Sequence, residues 1–199
     1  MLRLWRNKVA TTKHITTPSQ TVGPYLHIGL DWLTTSNLVT PDTEGQHIVV
    51  QGRLLDADEQ PIPDGMIEIW QANAHGKYAH PDDHQVQPLT KNFMGFGRMS
   101  TDEQGGFRFS TIKPGAVPHH DGSLQASHIM VQVFARGLIK QLVTRVYFPQ
   151  DDHSHDLVLN HVPVERRHTL IATAEDAQST ILNWNIALGG ENETVFFTI

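Results

Sequence analysis

Residues 127–136, with the sequence SHIMVQVFAR, alternate between aliphatic and more varied side chains with a period of two. This period is typical of a β-strand, because successive side chains of an extended chain point to opposite faces. One face is aliphatic and consists of Ile129, Val131, Val133 and Ala135. The other face carries His128, Met130, Gln132, Phe134 and Arg136. We therefore predict a strand with one face in a hydrophobic core.

The same kind of pattern recurs on both sides of this segment. Apolar runs occupy residues 47–56, 66–73, 95–100, 107–112, 140–148, 181–188 and 193–199, with Gly, Pro, Asp and Asn between many of them. We expect the first four runs to form two successive hairpin-like units. Only residues 164–174 (VERRHTLIATA) are compatible with a short helix. Many short strands and little helix predict a mostly β fold: a single-domain antiparallel β-sandwich with loop and short helical additions.

Composition excludes several classes of protein. The 199 residues include 15 Lys or Arg and 21 Asp or Glu, which gives a formal net charge of −6. No cluster of basic residues is dense enough for a phosphate backbone, so we do not expect nucleic acid as a partner. No apolar run is long enough to span a membrane, and we expect a cytoplasmic protein. We interpret residues 1–16 as an N-terminal arm without a secretion signal and residues 17–199 as the domain.

Cysteine is absent, whereas histidine is abundant, with 13 residues. Any metal would therefore be held by His, Tyr, Asp or Glu. Most of the histidines lie in loop-like segments such as 117–122 (VPHHDG) and 151–156 (DDHSHD), where we interpret them as solvated. His80 and His84 have helical spacing, but the proline and the two aspartates between them indicate a loop.

Three regions, in order along the chain, carry a family resemblance. They are residues 17–30 (TPSQTVGPYLHIGL), 68–78 (EIWQANAHGKY), and 134–148 (FARGLIKQLVTRVYF) with 190–197 (GENETVFF). These regions resemble the intradiol ring-cleaving dioxygenases, from about Thr17 to Ile199. The resemblance implies a β-sandwich with helical and loop additions, which agrees with the strand pattern. It also implies a non-haem ferric iron, held in the family's catalytic chain by two tyrosinates and two histidines.

The resemblance assigns four positions of this chain to those ligands. Tyr78 and His128 match a tyrosine and a histidine, whereas Val117 and Met130 stand in place of the second tyrosine and the second histidine. Valine has no donor atom, and a thioether is a soft ligand for hard ferric iron. An arginine that the family's catalytic pattern has three positions before the first histidine is Gln125 here. We therefore expect no metal in this chain and interpret Tyr78 and His128 as relics satisfied by local hydrogen bonds.

The resemblance then implies an alpha-type chain that assembles with a catalytic beta chain, which holds the Fe(III). The implied reaction is cleavage of protocatechuate by O₂ to 3-carboxy-cis,cis-muconate, in the beta-ketoadipate pathway of aromatic catabolism. Thr21, Gly23, Pro24 and Tyr25 would line the substrate pocket at the interface, and Arg136 would reach toward the carboxylate of the substrate. The plainer alternatives are an ordinary turn before a strand and a surface arginine at the end of a strand.

Two other functions stay open at this stage. A β-sandwich can be a transthyretin-like binding or adhesion module without an enzymatic partner. The chain could also be a self-sufficient metalloenzyme that uses another set of histidines. Arg145, in the run TRVYF of residues 144–148, either acts at the site or pairs with acidic neighbours.

Overall fold

A computed structural model describes residues 25–119, 122–176 and 178–198. The strands in this part of the chain are β1 (His47–Leu55), β2 (Met66–Trp70), β3 (Phe96–Ser100), β4 (Gly106–Ile112), β5 (Val117–Pro118), β6 (Leu124–Gln125), β7 (His128–Phe134), β8 (Leu142–Tyr147), β9 (Ile181–Asn183) and β10 (Ile186–Ala187). The helices are short: α1 (Tyr25–Gly29), α2 (Leu157–Asn160) and the 3₁₀ helices Asp31–Leu33 and Val164–Leu170. None of the helices in these ranges is long and apolar enough to cross a membrane.

Two four-stranded sheets pack face to face. The first sheet has the order β10-β1-β4, with β9 also paired to β1, and the second has the order β3-β2-β7-β8. A small separate sheet joins β5 to β6. The predicted β-sandwich is therefore confirmed. The first sheet differs from the predicted antiparallel arrangement in that it is mixed, because β9 and β10 lie parallel to β1.

The prediction of two successive hairpins is wrong. β1 pairs with β4 and β2 pairs with β3, so that each expected hairpin is divided between the two sheets. Alternating apolar residues show that a strand has one buried face, but they do not show which strand lies beside it. In this fold the connections after β1 and after β3 cross from one sheet to the other.

The core lies between the two sheets and follows the predicted alternation. Ile129, Val131 and Val133 of β7 are at most 2% exposed, and they pack against side chains from both sheets. Phe107 and Phe109 of β4 point into the same core, as expected from their spacing. Burying each of these large side chains contributes roughly 1.5–3 kcal/mol, so the core fixes which face of β7 points outward.

A second, smaller core covers part of the outer face of the second sheet. It consists of Tyr147, Leu159, Val162 and Leu170. The last of these closes the 3₁₀ helix Val164–Leu170, which confirms a short helix within residues 164–174. The predicted strand at residues 193–199 is reduced to a single bridge, in which the Phe197 N–H donates to the Val143 carbonyl at 2.7 Å.

A tight turn after β2 holds together the two loops that carry Tyr78 and Val117. The Asn73 side-chain oxygen accepts a hydrogen bond from the Lys77 N–H at 3.0 Å. The Asn73 carbonyl accepts another from the Gly115 N–H at 2.9 Å. One asparagine therefore fixes both the turn before Tyr78 and the approach of the chain to Val117.

We predict that Gly76→Ala in this turn is more destabilising than Gly137→Ala. Both glycines have positive φ, +78° and +84°, but an added Cβ at Gly76 would lie 2.0 Å from the Ala116 carbonyl oxygen, whereas at Gly137 it would meet nothing within 4 Å. The left-handed backbone costs an alanine about 1–2 kcal/mol at either position. The collision adds roughly 1–3 kcal/mol at Gly76 alone. Urea unfolding of the two variants measures the difference, and equal losses would contradict the close approach of the two loops.

Candidate functional site

The floor of the candidate site is a row of four side chains across the outer face of the second sheet. Phe96 lies opposite Trp70, Trp70 opposite Met130, and Met130 opposite Arg145 on successive strands. Residues that lie directly opposite in neighbouring strands point to the same face and contact each other. Arg145 is therefore brought beside Met130 by the pairing of β7 with β8.

A cleft of about 1170 Å³ adjoins this row of side chains at Trp70. Its lining includes Trp70, Tyr78, Asp83, Val117, Pro118 and Gln125. A smaller cavity of about 130 Å³ is also bounded by Trp70 and is lined in part by Met130. Of the four positions that the family resemblance matched to iron ligands, Tyr78 and Val117 thus line the cleft, Met130 lines the smaller cavity, and His128 lies outside both linings.

Tyr78 is held in the cleft by stacking and by its backbone. Its ring lies parallel to that of Trp70, with the centroids 5.7 Å apart and an angle of 14° between the planes. Its N–H donates to the Asp83 carboxylate at 2.8 Å. Burial raises the pKa of the Tyr78 phenol, the positive charge of Arg145 opposes that rise, and the Asp83 carboxylate adds to it. The phenol is therefore protonated at neutral pH.

Val117 is buried on the short strand β5 and has no donor atom in its side chain. It pairs with Gln125 of β6 in the small sheet. This pairing places the Gln125 amide at the border of the cleft. The segment after Lys113-Pro114-Gly115 thus contributes the apolar side chain of Val117 and the amide of Gln125 to the cleft.

His128 is 2% exposed and lies at the start of β7. Its Nδ1 is 2.7 Å from the Ala126 carbonyl oxygen, and because a carbonyl only accepts, Nδ1 carries the proton. Burial, followed by the charge of Arg145, lowers the pKa of His128 to about 4, against smaller opposing effects of the Ala126 hydrogen bond and of Asp156. The imidazole is therefore neutral at physiological pH.

A buried carboxylate supports His128 from behind. Asp156 is 1% exposed, and its oxygens accept hydrogen bonds from the Ala126 N–H at 2.8 Å and from the Leu159 N–H at 2.7 Å. The Tyr147 hydroxyl donates to the same carboxylate at 3.2 Å. Through Ala126, Asp156 fixes the carbonyl that binds the ring of His128. The interpretation of His128 as a residue satisfied by local hydrogen bonds agrees with these contacts.

Arg145 is the site residue whose place the sequence left open. Its Nε donates to the Met130 sulfur at 3.2 Å, and its Nη1 donates to the Gln125 side-chain oxygen at 2.9 Å. These two partners are neutral, in contrast to the acidic neighbours that the sequence suggested. The neighbours of Arg145 follow from the register of β7 against β8, and the sequence alone does not give this register.

The residues of the cleft do not fit an iron ion. Val117 has no donor, the Met130 thioether is a poor ligand for ferric iron, and the guanidinium of Arg145 stands beside Met130. In the part of the chain that the structure describes, no group of three or more His, Cys, Asp or Glu side chains could hold a metal ion.

The residues predicted to line an interface pocket are only partly described. Thr21, Gly23 and Pro24 lie outside the described residues, as does the N-terminal arm, and the backbone of Tyr25 begins α1. Arg136 follows the end of β7 by two residues and is outside the cleft lining. Its side chain is 70% exposed and forms an ion pair with Asp64.

The chain is similar in sequence and in fold to known dioxygenases. A family model described as "Dioxygenase" matches residues 30–190. The chain is 37% identical to the protocatechuate 3,4-dioxygenase alpha chain of Pseudomonas putida, over 91% of this chain and 95% of the relative. It is 36% identical to the corresponding beta chain of Burkholderia cepacia, over 81% of this chain and 72% of the relative. An intradiol ring-cleavage dioxygenase from Tetranychus urticae shares the fold with a TM-score of 0.61 at 21% identity, covering 91% of this chain and 98% of that structure.

The buried neutral state of His128 predicts a measurable dependence of stability on pH. The pKa of His128 is about 4 in the folded chain against a reference value of 6.5. Between these two pH values the unfolded chain binds a proton that the folded chain does not, so stability falls as the pH falls. The free energy of unfolding should drop by about 3 kcal/mol from this group between pH 7 and pH 4.

His128→Asn tests this effect, because the asparagine amide can donate to the Ala126 carbonyl in place of Nδ1 but does not titrate. Urea unfolding at several pH values should show a shallower loss of stability for His128→Asn than for the wild type. His155→Asn, at an exposed position, is the control and should follow the wild type. A His128→Asn variant that loses as much stability on acidification as the wild type would contradict a neutral, buried His128.

Proposed function

The chain belongs to the intradiol ring-cleavage dioxygenase family, and from this premise we propose that it is the alpha subunit of a protocatechuate 3,4-dioxygenase. The observation that carries the proposal is the set of four ligand positions, at which the chain keeps Tyr78 and His128 but has Val117 and Met130 in place of the other two donors. A subunit whose own site lacks two donors depends on a partner for the reaction. The similarity to an alpha chain over nearly the whole length of both proteins supports the same assignment.

In the proposed complex the Fe(III) belongs to the beta chain. The reaction is the insertion of both atoms of O₂ into protocatechuate, between its two hydroxyl-bearing carbons, to give 3-carboxy-cis,cis-muconate. This chain would contribute the shape and charge of the pocket wall, which orient the substrate and exclude water. A cytoplasmic location, a role in the beta-ketoadipate pathway and the domain boundary at residue 17 remain predictions.

Arg136 is suited to receive the carboxylate of the substrate at the interface. Its side chain is 70% exposed. Among the described residues, its ion-pair partner is Asp64. Arg136 contacts the largely buried Asp64 carboxylate through Nε, so its terminal nitrogens can turn toward an incoming anion while the ion pair persists. We propose that Thr21, Gly23, Pro24 and Tyr25 form the wall beside it in the complex.

Exposed apolar side chains near the N-terminal end of the described chain support a partner at this surface. Ile28 on α1 and Trp32 on the 3₁₀ helix Asp31–Leu33 are 76% and 77% exposed. Large apolar side chains with this exposure are typical of surfaces that another protein covers. They follow directly on the segment that the resemblance places at the interface.

The isolated chain should bind no stoichiometric iron, because two of the four ligand positions have no suitable donor. Elemental analysis of the chain purified alone should find well below one iron per chain, and the complex with a beta chain should contain about one iron per alpha–beta unit. A single ferric ion bound tightly to the isolated chain, with the visible colour of a tyrosinate–iron bond, would overturn the proposal.

Arg136→Ala in the reconstituted complex should lower kcat/KM for protocatechuate by about ten- to a hundredfold, since a charge-assisted hydrogen bond contributes roughly 1.5–3 kcal/mol. Iron content should not change. Arg108→Ala, an exposed arginine on β4, is the matched control and should leave the kinetics unchanged. The loss should be smaller for catechol, which has no carboxylate. Equal losses with both substrates would show that Arg136 supports assembly or shape, and unchanged kinetics would remove it from the pocket.

A further inference from the structure

We propose that Arg145, which contacts Met130 of the small cavity and Gln125 of the cleft, is a resident cation that takes the place of a metal ion between them. This chain would then exclude metals by charge and occupancy as well as by its missing donors. The inference concerns the chain's own cleft and does not depend on assembly with a beta chain. It also goes beyond the ligand positions, because it predicts that restoring donors alone is not sufficient to restore a metal site.

The position of Arg145 is fixed by backbone pairing. It lies directly opposite Met130, the position at which the family's second histidine would stand. Its Nε is 3.2 Å from the Met130 sulfur. A metal bound by a nitrogen ligand lies about 2 Å from the donor atom. An ion held by a donor at position 130 would therefore share its space with the guanidinium.

The other end of the guanidinium contacts the strand paired with the position of the second missing donor. Nη1 of Arg145 donates to the Gln125 side-chain oxygen at 2.9 Å, and Gln125 pairs with Val117 in the small sheet. The cation thus extends from the position of the lost histidine toward the strand that carries the position of the lost tyrosine. Its hydrogen bonds hold it there.

The charge of Arg145 also acts on Tyr78 and His128, the two ligand positions that keep a donor atom. After burial, the charge of Arg145 is the next largest influence on the pKa of Tyr78, of His128 and of Tyr147, and it lowers all three. An arginine stays protonated under all physiological conditions. The positive charge of the cleft is therefore permanent, and an incoming metal cation would be repelled by it.

The imidazole of His128 and its hydrogen bond are in the state that metal binding requires. Its imidazole is neutral, and its Nδ1 is engaged by the Ala126 carbonyl, which leaves Nε2 with the free electron pair. Metal-binding histidines commonly donate their other ring nitrogen to a carbonyl or carboxylate in this way. The remaining obstacles are the two missing donors and Arg145.

The test compares the affinity for Co²⁺ of Met130→His with that of Met130→His/Arg145→Met. The first variant offers imidazoles at positions 128 and 130 on one strand face and the Tyr78 phenol, with the cation retained. The second variant removes the charge while keeping a side chain of similar length. Cobalt binds imidazole and oxygen donors, and its visible spectrum reports their number and geometry. We expect at least tenfold tighter binding by the double variant.

Two further double variants control for indirect effects. Met130→His/Arg108→Met removes an exposed arginine on β4, outside the cleft, and should bind Co²⁺ as weakly as Met130→His. Met130→His/Arg145→Lys keeps a positive charge and should also stay weak. If circular dichroism shows that the methionine variant does not fold, Arg145→Gln replaces it, because glutamine keeps a polar group beside Gln125 without the charge.

Affinities of Met130→His and Met130→His/Arg145→Met that agree within twofold would overturn the proposal, whether both bind weakly or both bind tightly. Tight binding by the lysine variant would overturn it as well, because the charge would then not matter. These results are independent of iron content and kinetics in the alpha–beta complex, so failure of the resident cation and failure of the proposed function can be told apart.

Discussion

The register between β7 and β8 is the constraint on which the site depends. It places His128 opposite Tyr147 and Met130 opposite Arg145 on the outer face, while Ile129 and Val131 point into the core. A slip of one residue would exchange the two faces and expose the core side chains. The packing energy of the core therefore fixes which polar groups meet on the outer face of the sheet.

The outer face of the second sheet is used in two ways along its length. At the end of β8 the small core around Tyr147 covers it, and the Asp156 carboxylate there is satisfied by three donors. A buried carboxylate is tolerated only when such donors surround it. Further along the same face the sheet is open and forms the floor of the cleft. His128 lies at the boundary, where burial keeps it neutral and the Asp156 network orients its ring.

The sequence predicted those features that depend on side-chain alternation, and it failed where strand partners had to be known. The buried face of β7 and the pair Phe107 and Phe109 could be derived from a period of two. The hairpins could not, because adjacency in sequence does not determine adjacency in a sheet. For the same reason the environment of Arg145 was not predictable: it requires the pairing with Met130. The resemblance supplied the ligand positions, which no periodicity would have revealed.

Arg145 and Arg136, the two arginines at this pair of strands, have different surroundings and therefore differ in what they can do. Arg145 is half-buried and donates to a sulfur and an amide oxygen inside the cleft, so moving it would leave polar groups unpaired. Arg136 is 70% exposed and contacts the largely buried Asp64 carboxylate through Nε, so its terminal nitrogens can turn toward another anion at the surface. In the roles proposed here, Arg145 would keep an internal site closed to metals, whereas Arg136 would stay available to an anion brought by another molecule. The chain would then keep the scaffold of a family active site and direct its usable charge toward the surface.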